Sequence, residues 1–240
     1  MDTAAVSPRL RRFSASRNAA APAHLGQRYD QSGTFLPEPG NTVVCHLVPG
    51  SETERALIDA RLRYQYMPEA SLLAFTPTFS LHMTLFQGVI EFRRRPGYWP
   101  PGMDLDMPIA ETTKQLLSAL DAFKGAPPFR MQVTEALPTG LTLEGAGPED
   151  RAALKAWRDK LADIFGYRHP DHEDYIFHIT FAYPLTWFDE ACLPAWQVML
   201  DEVVDDIRQR APVIELQPPA FCSFEDMNHF EELRVLPFER

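Results

Sequence analysis

Ser80-Leu81-His82-Met83-Thr84-Leu85-Phe86 and Ile176-Phe177-His178-Ile179-Thr180-Phe181-Ala182 repeat one pattern, His-x-Thr inside an apolar run, 96 residues apart. Side chains alternate between the two faces of a β-strand, and same-face neighbours lie roughly 6.5–7 Å apart. His82 and Thr84 therefore share a face, with Leu81, Met83 and Leu85 on the other. His178 and Thr180 are arranged likewise against Phe177, Ile179 and Phe181. The apolar face ties each strand to a core, and the other presents an imidazole and a hydroxyl. An imidazole both gives and takes a proton near neutral pH, so the pair suits acid–base catalysis. With 7 histidines in the chain, one His-x-Thr is uninformative; two, each within a strand-like apolar run, are not.

Composition limits the rest. The chain has 240 residues, 45% of them hydrophobic, enough for a substantial core. Lys and Arg number 23 against 33 Asp and Glu, a net charge of −10. That argues against a broad surface for long duplex nucleic acid, while leaving room for a local basic pocket. Cys45, Cys192 and Cys222 are far apart and in apolar contexts, as expected of reduced thiols rather than a disulfide framework or zinc ribbon. No apolar run approaches the ~18–20 residues that cross a bilayer. The expectation is a soluble, cytoplasmic protein with no membrane partner.

Residues 1–39 carry Arg9, Arg11, Arg12 and Arg17 among Ser and Ala, and are expected to form a mobile N-terminal extension. Residues 40–240 read as one bilobal domain. Thr42–Val48 reads as a buried strand, and Ser51-x-x-Glu54 as a capping box opening a helix to about Gln65. The first motif strand is expected near 81–87. A loop at 93–108 follows, rich in Pro and Gly, in which Tyr98 and Trp99 are candidates either for substrate contact or for anchoring the loop. Next come a helix near 109–123, strands near 129–136 and 140–144, and a helix opened by Pro148-Glu149-Asp150 and ending near Gly166. The second motif strand is expected at 175–182, then a helix near 188–209 and strands near 213–217, 220–224 and 232–236. The order strand, helix, motif strand occurs twice at the same offset. An α+β chain of two pseudo-symmetric lobes is expected, with antiparallel sheets, helices outside and a central cleft facing both motifs.

This arrangement resembles the 2H phosphoesterase superfamily, named for the two histidines of paired His-x-Thr or His-x-Ser motifs. Its members include RNA 2′-5′ ligase-like proteins and cyclic phosphodiesterases. The likeness covers roughly residues 42–236. The segment Gly40–Leu47, with Trp157 and Phe221–Phe224, looks most like a poorly characterised bacterial and fungal branch. The resemblance implies opening of a 2′,3′-cyclic phosphate on a nucleotide or RNA end with no metal or cofactor. His82 and His178 would be the acid–base pair, and Thr84 and Thr180 would hold the phosphate oxygens. Several members have a basic residue soon after the second Thr, where this chain has Ala182-Tyr183-Pro184. Tyr183 is a candidate for substrate contact, although regular alternation from His178 puts it on the core face.

His169-Pro170-Asp171-His172-Glu173-Asp174 has metal-binding residue types but no metallohydrolase spacing, and reads as a solvated acidic loop. His46 reads as a core histidine. Two alternatives to the hydrolase stay open: an RNA 2′-5′ ligase-like activity, and a non-catalytic nucleotide- or phosphate-binding module of the same fold. The substrate and the oligomeric state are left open.

Overall fold

The computed structural model describes residues 5–239. Among them are β1 (Gly40–His46), α1 (Glu52–Gln65), β2 (Leu73–Phe75), β3 (His82–Ile90), α2 (Ile109–Ala119), β4 (Met131–Leu137) and β5 (Gly140–Gly145). They continue with α3 (Pro148–Phe165), β6 (Phe177–Thr180), β7 (Ala182–Pro184), α4 (Leu193–Arg210), β8 (Ala220–Phe224) and β9 (Glu231–Val235). Seven strands form one antiparallel sheet in the order β4-β5-β6-β3-β1-β8-β9, and β2 and β7 pair separately. The fold is α+β. The expected separation into two lobe sheets is not what forms: the motif strands β3 and β6 pair with each other, through Met83 and Ile179, and join both halves into one sheet.

Local chemistry explains the elements. Ser51 Oγ accepts from the Glu54 amide at 3.0 Å, and the Glu54 carboxylate accepts from the Gly50 amide at 2.6 Å, closing the N-terminus of α1. α3 starts at Pro148, whose missing N–H costs nothing there, and ends at Gly166 with φ +75°. The expected strand at 213–217 is reduced to two isolated bridges, Ile214 to Met131 and Leu216 to Leu47. Pro212, Pro218 and Pro219 bracket it and supply no N–H to a ladder.

The main core packs one sheet face, including Val43, Cys45, Met83, Leu85, Leu141 and Ile179, against helix residues such as Leu57, Trp157 and Trp196. A smaller cluster of Val44, Ala220, Cys222, Phe224, Met227 and Phe230 forms separately. No helix among the described residues is long and apolar enough to cross a membrane.

The stretch expected to be a mobile extension lies packed on the body over residues 5–39. Leu10, Ser14, Tyr29 and Glu38 are buried. Tyr29 Oη donates to the Pro184 carbonyl at 2.8 Å, and the Glu38 amide donates to the Glu225 carbonyl at 2.8 Å. A few apolar anchors and backbone bonds hold a segment whose polar composition suggested a tail.

Candidate active site

Register brings the two motifs together. With Met83 opposite Ile179, His82 stands across from Thr180, and Thr84 across from His178. Cross-strand neighbours have Cβ atoms about 4.5–5.5 Å apart, so the four side chains bound a square wide enough for one phosphate. β5 supports the second motif, with Gly140 opposite Thr180 and Thr142 opposite His178. Gly140 has φ +133°, and a Cβ there would lie 2.1 Å from the Ile179 carbonyl oxygen, so only glycine permits this approach.

Both imidazoles are held the same way. His82 Nδ1 lies 2.7 Å from the Ser80 carbonyl oxygen, and His178 Nδ1 lies 3.0 Å from that of Ile176, two residues upstream in each motif. A carbonyl only accepts, so Nδ1–H donates and Nε2 is the reactive position of each ring. Their surroundings differ. His82 has the Phe230 ring at 4.1 Å and the His46 ring at 6.1 Å, and burial pulls its pKa down to about 3. His178 is exposed.

All four motif residues line one cavity of about 580 Å³. Two irregularities in the β1–β3 ladder extend it. Val43 and Val44 pair with Phe86 and Thr84, leaving Leu85 as an extra residue, and a second shift falls between Gly40 and Thr42. The first bulge turns Gln87 to the cavity side with His82 and Thr84, where strict alternation would have put Phe86, and the second shift returns Ile90 to that side. Exposed Phe92 and Ile176 also line it.

The lining is positively charged in a protein of net charge −10. It holds the guanidiniums of Arg9, Arg28 and Arg93 against one carboxylate, Glu38. Arg28 is bidentate to Glu38, with Nε at 2.5 Å and a terminal nitrogen at 3.3 Å, and lies over the Tyr183 ring at 5.2 Å. Arg9 pairs with Glu135. His24 also faces the cavity, and burial followed by the Arg28 charge lowers its pKa to about 4.

Tyr183 lines the cavity rather than the main core. The alternation argument fails because the strand breaks at Phe181, whose amide donates to the Thr139 carbonyl at 2.9 Å, and β7 restarts on a different partner, β2. Tyr98 and Trp99 are outside the cavity lining. Trp99 is buried under Arg94 at 4.7 Å and donates to the Asp104 carbonyl at 3.0 Å, so it closes its own loop. Tyr98 packs edge-on against His169 at 5.1 Å. The segment read as a solvated acidic loop has both His169 and His172 buried. Asp159, His172 and Glu173 come within metal-ligating distance of one another. The Lys155 ammonium already bridges the two carboxylates at 3.1 and 3.0 Å, supplying the positive charge there.

Sequence reading missed His24, Arg28 and Arg93. The first two lie in the stretch set aside as an extension. The third opens the run Arg93-Arg94-Arg95 directly after the first motif strand, a usable signal.

A family model described as "2H-phosphodiest: Domain of unknown function (DUF1868)" matches residues 28–142, which take in Arg28, the first motif and Arg93. The chain is similar to a crystal structure of a conserved protein of unknown function, ATU0111, from Agrobacterium tumefaciens. The two share 54% identity over 96% of this chain and 99% of that one, with a TM-score of 0.95. No curated protein matches.

Proposed function

This chain belongs to the 2H phosphoesterase superfamily, and we propose that it hydrolyses a 2′,3′-cyclic, or related cyclic, phosphate of a nucleotide or RNA end without a metal. The observation that carries this reading is the pair of imidazoles on adjacent strands, each fixed through Nδ1 to a carbonyl two residues upstream. We read the segments β1-α1-β3 and β5-α3-β6 as two copies of one unit, each supplying one histidine.

The difference in burial divides the work. Neutral His82 takes a proton from water at Nε2 as the water oxygen attacks phosphorus. His178, nearer solvent, serves as the acid, and its Nε2 proton passes to the ribose oxygen as the bond from phosphorus to that oxygen breaks. The products are a phosphomonoester and a free ribose hydroxyl, and each histidine has exchanged one proton. Thr84 and Thr180 donate to the non-bridging oxygens, where negative charge grows in the transition state.

The test is hydrolysis of adenosine 2′,3′-cyclic phosphate by wild type, His82→Ala and His178→Ala, with folding followed by circular dichroism and the assay repeated after exhaustive chelation. The proposal expects turnover that survives chelation and is lost in both folded variants. Undiminished turnover in either variant would falsify the two-histidine mechanism, and loss on chelation would remove its metal independence.

A further inference from the structure

Arg93 follows the end of β3, is half-buried with its guanidinium over the Tyr98 ring at 5.3 Å, and is poorly satisfied in hydrogen bonds. One terminal nitrogen donates to Gln87 Oε1 at 3.1 Å, while Nε and the other terminal nitrogen are buried with no hydrogen-bond partner. No carboxylate pairs with it among the described residues. Its neighbour Arg28 is itself a cation, and burial, then the Arg28 charge, lower the Arg93 pKa. The Tyr175 hydroxyl, on the same cavity wall, is also buried and unpartnered. A guanidinium does not shed its proton in a protein, so N–H groups of it that are buried without a partner are a standing cost that an anion relieves.

We propose that Arg93, with Arg28 and Tyr175 beside it, is a second anion subsite that binds a phosphate on the 5′ side of the nucleoside whose cyclic phosphate occupies the histidine–threonine square. This rests on the phosphodiesterase reading and adds the substrate class: a cyclic phosphate that carries a further phosphate. The spacing fits. The Arg93 guanidinium is tied to Gln87, three residues along β3 from Thr84, or roughly 10 Å of strand, a length that a nucleoside bridges. The bulge at Leu85 is what puts Gln87 on the same wall as Thr84.

The experiment compares three substrates: adenosine 2′,3′-cyclic phosphate, the same compound with a 5′-phosphate, and a dinucleotide ending in the cyclic phosphate, whose 5′-side phosphate is a diester. The 5′-phosphorylated compound or the dinucleotide is expected to exceed the plain nucleotide in kcat/KM by about tenfold or more, chiefly through KM. The preferred one identifies a terminal or an internal phosphate as the source. In Arg93→Gln the ratio collapses towards one, and Arg93→Lys restores part of it. Hydrolysis of all three at equal kcat/KM by the wild type overturns the subsite and leaves the phosphodiesterase reading standing, and this comparison needs no variant. If none is hydrolysed, calorimetric titration with adenosine and adenosine 5′-phosphate decides. Tighter binding of the phosphate by the wild type but not by Arg93→Gln supports the subsite, and equal binding overturns it.

Discussion

His82 has the Phe230 ring at 4.1 Å and a pKa lowered by burial to about 3, whereas His178, carrying the same Nδ1 bond to a carbonyl two residues upstream, is exposed. The two motifs therefore share a tautomer and differ in environment. A His-x-Thr string and its strand set which nitrogen is free. The surrounding chain sets how far each ring is shielded from water, and at His82 that shielding disfavours the charged form.

The strongest way to break this comparison is to remove the need for an acid. On a cyclic nucleotide, His82→Ala and His178→Ala are each expected to lose about 10²–10⁴ in kcat/KM. On an aryl phosphodiester that releases 4-nitrophenolate, the leaving oxygen needs no proton. His178→Ala should recover most of its loss there and His82→Ala should not. Recovery by His82→Ala instead would exchange the roles.

The hydroxyls come next. Thr84→Val and Thr180→Val keep shape and remove one donor each to a developing phosphate charge, with a cost of about 10² in kcat. Register places the two threonines diagonally across the square, so similar losses are expected. A variant that changes KM alone would show that its hydroxyl binds the ground state and not the transition state.

Burial of neutral imidazoles also has a consequence for stability. His82 and His169 both have pKa values lowered to about 3, in each case chiefly by burial, while an unfolded histidine titrates near 6.5. Between about pH 6.5 and pH 3 the unfolded chain binds more protons, so the folded state loses stability as the pH falls through that window. Each such group contributes a slope of about 1.4 kcal/mol per pH unit. His169→Gln should flatten the acid side of a denaturation midpoint against pH profile by one group. An unchanged slope would mean that His169 takes up its proton without unfolding.

Much of this was legible in the sequence, for physical reasons that also mark where legibility ended. Period-two alternation identified the square's four residues, because each motif is short and regular within itself. The same rule failed for Gln87 and Tyr183, where a bulge at Leu85 and a break at Phe181 reset the parity. Neither has a glycine or proline at the irregular residue to announce it. The positive lining was hidden because Arg28 and Glu38 form their pair over ten residues of a segment with few apolar anchors. Composition saw the acidic whole and not the basic wall.

The smallest effect is the most direct probe of the contrast between the motifs. In Phe230→Ala, water gains access to the His82 ring, the burial that disfavours imidazolium weakens, and the His82 pKa moves up towards 6.5. A base works only when neutral, so the acidic limb of kcat/KM against pH, which lies below the ordinary imidazole range in the wild type, should move to higher pH. Phe230 also packs in the cluster with Phe224 and Met227, so the variant loses stability as well. The position of the limb, and not the height of the rate, is therefore the quantity to read. A limb that stays in place while the protein remains folded would mean that Phe230 does not set the protonation of His82. The division of roles would then rest on some other difference between the surroundings of the two motifs.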